Sequence, residues 1–330
     1  MSLLVSTPDL LVLVLSLSFP LMLIVVLCML RKENPSTSQF LMGDRQLPVF
    51  PVTVSLSVSF ISVNFVLNMS QETSLSCIIF LSIMLISCAL AMAMVPDLFM
   101  SVFYKMHLTS VYEYMELRFS STLVRRLASL TFLLASQLFL GVVMLAACET
   151  ISIITGIPVW PYLTCGGLIY LLVVACGGLT PIVWSDTWLA GVFISGLVSV
   201  IVCASQDDPL WLVNSFERES LAWANGGTTS PGIHDKTIHT LAVCSGQVIM
   251  WFSIYGCHQT TVQRYCSTKS AGHAKWSCRL SCLVTLVLSC GAIFAHMSID
   301  NKWQQFGQES TDGKFEEKVT YFTSKVLFFL

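Results

Sequence analysis

"VTVSLSVSFISVNFVLNMS", residues 52–70, decides how this chain folds. The stretch is apolar enough to cross a hydrocarbon core of about 30 Å as one helix. It nevertheless carries Ser55, Ser57, Ser59, Ser62, Asn64 and Asn68, far more hydrogen-bonding capacity than a lipid-facing helix can use. Such a segment belongs inside a membrane-embedded bundle, with its hydroxyls and amides turned toward neighbours. Two roles fit the residues equally well. The polar groups can bond helix to helix, at about 0.6 kcal/mol each. Alternatively, the helix breaks in mid-membrane and offers backbone carbonyls to a dehydrated cation, and sodium suits oxygen ligands that include no carboxylate.

The rest of the chain has the composition that this reading requires. Of 330 residues, 55% are hydrophobic and 11% charged, which marks an all-α polytopic membrane protein. Eight stretches qualify as spans: 8–30, 49–69, 76–100, 127–154, 162–182, 187–205, 238–257 and 279–298. Asp9 precedes the first, and Arg31-Lys32 follow it. It therefore reads as a retained helix with its N-terminus outside, and not as a cleaved leader. The loops 31–47, 103–126, 183–186 and 258–278 then fall in the cytoplasm. They collect Arg31, Lys32, Arg45, Lys105, Arg118, Arg125, Arg126, Arg264, Lys269 and Lys275, whereas the short outer loops near 70–75 and 155–161 hold no Lys or Arg. The long acidic stretch 206–237 reads as an outer loop with one short helix around 216–224, and 299–330 as an outer tail.

Composition also excludes several functions. The net charge is −2 and the bases are dispersed among loops, so no nucleic-acid partner is expected. Most of the thirteen cysteines lie in apolar runs as small packing residues, and none is spaced for a zinc site. Asn68-Met69-Ser70 matches a glycosylation acceptor but sits at a span end, which makes it a chance match. No hydrolase triad, phosphate loop or zinc-protease motif occurs, so an enzyme is not expected. The acids near span ends, Asp97 and Glu149, read as interfacial groups and not as a proton relay. In the seventh span, Gln247, Trp251, Ser253 and Tyr255 suit core packing and ligand contact equally.

Three ordered motifs add a family resemblance: "VFYKMHLTSVYEYMELRFS" (102–120), "CGGLTPIVWSDTW" (176–188) and "WFSIYGCHQTTVQRYC" (251–266). They resemble signatures of the sodium:solute symporter family over residues 38 to 330. The Tyr-Glu-Tyr and Val-Gln-Arg-Tyr wording is nearest the iodide, multivitamin and monocarboxylate branch. The resemblance implies a 5+5 inverted-repeat core preceded by one extra N-terminal helix. On that scheme 8–30 is the extra helix, 49–205 the first five-helix repeat and 238–298 the first two helices of the second. The family's sodium site then takes backbone carbonyls at Val58 and Ile61. Substrate contacts fall on Phe65, Gln137, Trp251 and Tyr255, and Gln263 and Arg264 sit at a hinge beside the inner gate.

Departures from the family pattern are Phe65, where relatives often carry a polar residue, Asn68 and Ser70 in place of Gly and Pro, and Thr180-Pro181 before the Val-Trp-Ser-Asp turn. The hydroxyl pair that completes the family's sodium site lies on a later helix, so the expectation is a C-terminally truncated member. The implied function is Na⁺-coupled symport of a small organic or inorganic anion across the plasma membrane by alternating access. The alternative is a non-transporting relative that binds partner proteins through its helix surfaces.

Overall fold

The computed structural model describes residues 36–59, 75–207 and 233–307, with positions 210, 212, 213 and 217. The expected first span, the second half of the residue 49–69 span, most of the acidic stretch and the tail after Gly307 lie outside these residues. So do Ile61 and Phe65.

Every described element is helical. In chain order the α-helices are α1 (Thr37–Met42), α2 (Val49–Val58), α3 (Leu75–Val95), α4 (Ser101–Lys105), α5 (Val111–Phe119), α6 (Thr122–Thr155), α7 (Val159–Gly177), α8 (Leu179–Asp207), α9 (Ile233–Cys257), α10 (Gln259–Cys266) and α11 (Ala271–Gly307), with a 3-10 turn over Gly43–Arg45 and a π-turn over Pro96–Met100. By length and composition, four stretches among the described residues are able to cross a membrane: Leu85–Lys105, Thr122–Glu149, Leu179–Ser199 and Ala271–Ala295. Shorter apolar helices cover Val49–Val58 and Val159–Ile169. Together they make a multi-pass bundle.

α2 lies at its centre. Residues Pro51 to Ser57 are buried on every side, packed on α8 and α11. Its hydroxyls do not go unsatisfied, because they bond back along their own helix: Thr53 Oγ1 donates to Val49 O (2.8 Å) and Ser57 Oγ to Thr53 O (3.0 Å). Ser57 Oγ also reaches Ser281 O on α11 at 3.0 Å, the helix-to-helix bond expected of this stretch. α3 fills the space between α9 and α11. Where Pro96 removes a backbone donor, the helix widens into a π-turn over Pro96–Met100. Gly256 of α9 lets Phe99 of that turn approach closely, since a Cβ there would sit 3.1 Å from its ring. α6 lies at the edge against α5 and α7, and its apolar window has no buried residue.

The turn between α7 and α8 corrects the expected boundaries. No loop occupies 183–186 and no span runs from 162 to 182. α7 ends at Gly177, and the chain reverses on Gly178 at φ 68°, ψ −157°, a conformation open essentially to glycine alone. α8 starts at once, so Asp186 lies inside a helix. The Gly177-Gly178 pair is where the chain turns from α7 to α8. The expected loops 103–126 and 258–278 likewise contain helices, α5 and α10: Ser110 Oγ caps α5 through Tyr112 N, and the His258 carbonyl accepts the first backbone bonds of α10 from Thr261 N and Val262 N.

α1 is folded onto this turn. A Cβ at Gly178 would lie 2.5 Å from Phe40 O, and one at Gly43 2.9 Å from Thr180 Oγ1. Gly178→Ala therefore combines a strained backbone with a clash against a main-chain oxygen. We expect it to cost more than the usual 0.5–3 kcal/mol of a point substitution, read as lost monodisperse protein in fluorescence-detected gel filtration, whereas Gly141→Ala, with nothing within 4 Å, should elute as wild type.

Candidate functional site: an ion-paired clamp beneath an aromatic stack

α10 is short, amphipathic and tied on all sides. Gln263 Nε2 donates to Leu41 O at 2.6 Å, which fixes α10 to α1. Gln259 Oε1 accepts from Val111 N at 2.8 Å, and its Nε2 donates to Thr109 O at 3.3 Å, so that one amide holds the start of α5. Beyond α10, Leu47 N donates to Ser267 O at 3.1 Å, part of an isolated parallel bridge, and Tyr104 Oη donates to Thr268 O at 2.9 Å. Arg45, at φ 55°, donates to Leu108 O at 3.0 Å.

Arg264 supplies the charge at the centre. Its guanidinium contacts Asp186 of α8 at 3.3 Å and donates to the Ser59 hydroxyl at the end of α2. Ser55 Oγ donates to the same carboxylate oxygen of Asp186 at 2.5 Å, the length of a charge-assisted bond. Ser59 Oγ in turn donates to Ser55 O at 2.6 Å. Three elements, α2, α8 and α10, thus converge on one carboxylate, with only 20% of the Asp186 and 12% of the Arg264 side chain exposed. Removing one member of such a buried pair strands the other charge, which typically costs 3–5 kcal/mol.

A second ionic contact straps the same end from outside. Asp97, in the π-turn after α3, receives Lys275 Nζ and Arg279 Nη2 of α11, each at 2.8 Å. These groups are largely exposed, so the strap is weakened by salt in a way that the Asp186 pair is not.

Further into the bundle, α9 brings Trp251 and Tyr255 together. Their rings stack at 5.8 Å with 25° between planes, and both are buried. Tyr255 faces Thr285 of α11. Of the other expected site residues, Val58 is the last residue of α2, partly buried beside the clamp. Gln137 is exposed on α6 and does not share the burial of the aromatic pair.

Sequence reasoning missed Asp186 because the residue was placed in a loop. A lone acid between Trp184 and Trp188 in an apolar run was the available signal, since membrane-embedded carboxylates are kept where they are paired. The serines of the opening stretch prove to serve both sides of the bundle: Ser57 bonds α11, whereas Ser55 and Ser59 hold the ionic site.

His258 forms the corner between α9 and α10. Its ring meets Phe132 of α6 edge-on at 5.0 Å, and Nδ1 lies 2.8 Å from Thr260 Oγ1. Burial, then the nearby Arg264 charge, hold its pKa below the ordinary 6.5. The folded state therefore favours the neutral ring, and the unfolded chain takes up the proton first as pH falls. His258 costs nothing above the unfolded value and destabilises progressively below it. Melting temperature should thus drop more steeply from pH 7 to pH 5 in wild type than in His258→Gln. In the clamp, Arg264→Ala should lower stability by about 3–5 kcal/mol, and Ser55→Ala by about 1.5–3 kcal/mol, the range for a hydrogen bond to a charged group. Thermal-shift measurements at pH 7.5 check both.

Comparison with known proteins places this geometry. Residues 40–305 match the model of the sodium:solute symporter family. The sodium-coupled monocarboxylate transporter 1 of Mus musculus is 30% identical over 82% of this chain and 44% of its own length. The Homo sapiens sodium/iodide cotransporter is 33% identical over 74% of this chain and 38% of its own. The chain thus spans less than half the length of these relatives, which are transporters and not enzymes. Among solved structures, the substrate-bound outward-open state of a Na⁺-coupled sialic acid symporter superposes with a TM-score of 0.82 at 16% identity, covering 98% of this chain and 69% of that one. The helix arrangement around Asp186 and Arg264 is accordingly a symporter fold, and the chain belongs to the sodium:solute symporter family.

Proposed function

We propose that the protein takes part in Na⁺-coupled symport of a small anion, and that the Ser55–Asp186–Arg264–Ser59 network closes the cytoplasmic side of its pathway. The observation that carries this reading is the convergence of α2, α8 and α10 on one buried ion pair at the end of the bundle that collects the bases. By the positive-inside rule that end faces the cytoplasm, in the plasma membrane and with the N-terminus outside. Relatives named for monocarboxylate and for iodide support an anionic solute.

The roles follow from the family resemblance. The carbonyl of Val58, with that of Ile61, serves the coupling sodium on the central helix. Trp251 and Tyr255 form the solute-facing wall, with Phe65 and Gln137 completing the contacts. Sodium entering from outside stabilises the central helix with the clamp closed and raises affinity for solute. Reciprocity then requires solute to tighten sodium binding by the same factor. Breaking the Arg264 contacts frees α10 from α2 and α8 and opens the inner side.

Energetics constrain stoichiometry. One Na⁺ crossing about 100 mV supplies about 2.3 kcal/mol, on the order of 50-fold accumulation of a neutral solute. With a monovalent anion one sodium makes the step electroneutral, so voltage-driven uptake calls for at least two.

In proteoliposomes, uptake of a radiolabelled monocarboxylate or of iodide should require Na⁺ over choline, with a Hill slope for Na⁺ above one. A slope near one overturns the two-sodium stoichiometry. Folded protein at normal density with no Na⁺-dependent uptake overturns the transport reading in favour of a partner-binding relative. Trp251→Phe keeps a ring on Tyr255 and should hold the apparent solute affinity closer to wild type than Trp251→Ala does, at equal surface density. Unchanged affinity in Trp251→Ala removes this residue from the solute wall.

A further inference from the structure

The corner between α5 and α6 carries charge and apolar surface that the transport reading leaves unused. Of the acids there, Glu116 is paired with Arg125 at 2.7 Å, and Glu113 accepts from Thr109 N and Oγ1 at 3.2 Å. Arg118 and Arg126 are exposed and have no acidic partner among the described residues. Beside them, Phe119 is 64% and Leu123 62% exposed.

Leu123 is no isolated apolar residue. It begins a stripe of exposed side chains, Leu127, Leu130, Leu134 and Leu138, at the three- and four-residue spacing that lines one face of a helix. Arg126 lies three residues from Leu123, on that same face. α6 has 34 residues, a length of about 51 Å against a hydrocarbon core of about 30 Å. Its ends therefore extend to the headgroup layers, and the stripe runs from one of those ends toward the hydrocarbon region.

We propose that the α5–α6 corner is an anionic-phospholipid site, in which Arg118 and Arg126 hold the headgroup phosphate and one acyl chain lies along the Leu123–Leu138 stripe. A single amphiphile satisfies both features, with anionic charge for the two arginines and a hydrocarbon chain for the leucines that line this face of α6. A soluble acidic peptide would meet the arginines and leave the stripe uncovered. Phe119 sits at the boundary between headgroup and chain, where aromatic rings settle.

The test is native mass spectrometry of the purified full chain in neutral detergent, offered equimolar phosphatidylglycerol and phosphatidylcholine. Phosphatidylglycerol adducts should dominate in wild type. The attraction of one base to an anionic surface corresponds to about fivefold in occupancy, so Arg118→Gln and Arg126→Gln should each lower those adducts by about that factor. Lys269→Gln, an exposed base outside the corner, should leave them unchanged. Equal adducts of the two lipids in wild type overturn the proposal without reference to any variant. It is also overturned if Lys269→Gln costs as much as the corner substitutions, because that outcome marks a diffuse field and not a site.

Discussion

Everything at the basic end of this bundle depends on one buried carboxylate, Asp186, having its partners in place. In a bilayer, apolar side chains gain little by leaving lipid for protein, so helix association rests on packing and on polar contacts. An ionised group inside the bundle must therefore be met by charge and hydrogen bonds together. Ser55 and Arg264 supply them, and in doing so they fix the relative positions of α2, α8 and α10. The amides of Gln259 and Gln263 extend the same constraint to α5 and α1. A helix of eight residues with little apolar surface is thereby held by side-chain bonds to four other elements.

Much of this was legible in the sequence, and what escaped follows a pattern. Apolar length identified the membrane-crossing helices that the structure describes, and serines in an apolar stretch identified the buried central helix. Boundaries were lost where a backbone conformation, and not a composition, ends an element. Gly178 looks like any small residue in an apolar run until its φ of 68° and the oxygen of Phe40 packed against it are seen. α5 and α10 looked like loops because they are short and polar. Their helical form depends on caps and on tertiary amide contacts, which periodicity does not record.

The two aspartates of the ionic site show where sequence reasoning stops. Asp97 and Asp186 both interrupt apolar stretches, and both are paired with bases far away in the chain. Asp97 was expected at the interface and lies there, 57% exposed, between Lys275 and Arg279. Asp186 is largely enclosed. Nothing in the local sequence separates these cases, since burial depends on which helices pass by. The aromatic pair is similar: the four-residue spacing puts Trp251 and Tyr255 on one face of α9, but their burial comes from packing against other helices, with α3 and α11 both beside Tyr255.

The two ionic contacts also differ in what they do to the motion of this end. The Asp97 strap joins the π-turn after α3 to α11 in a solvated setting, where salt within a Debye length of about 10 Å weakens it. The Asp186 pair joins α2, α8 and α10 with most of both side chains enclosed, where screening is weaker. A π-turn is already a local departure from helical geometry, and Gly256 keeps α9 close to it. The outer strap thus ends on the π-turn, and the inner pair joins helices that pack around α2. Separating Arg264 from Asp186 therefore costs most while the pair stays enclosed, and solvation of both charges as they part lowers that cost.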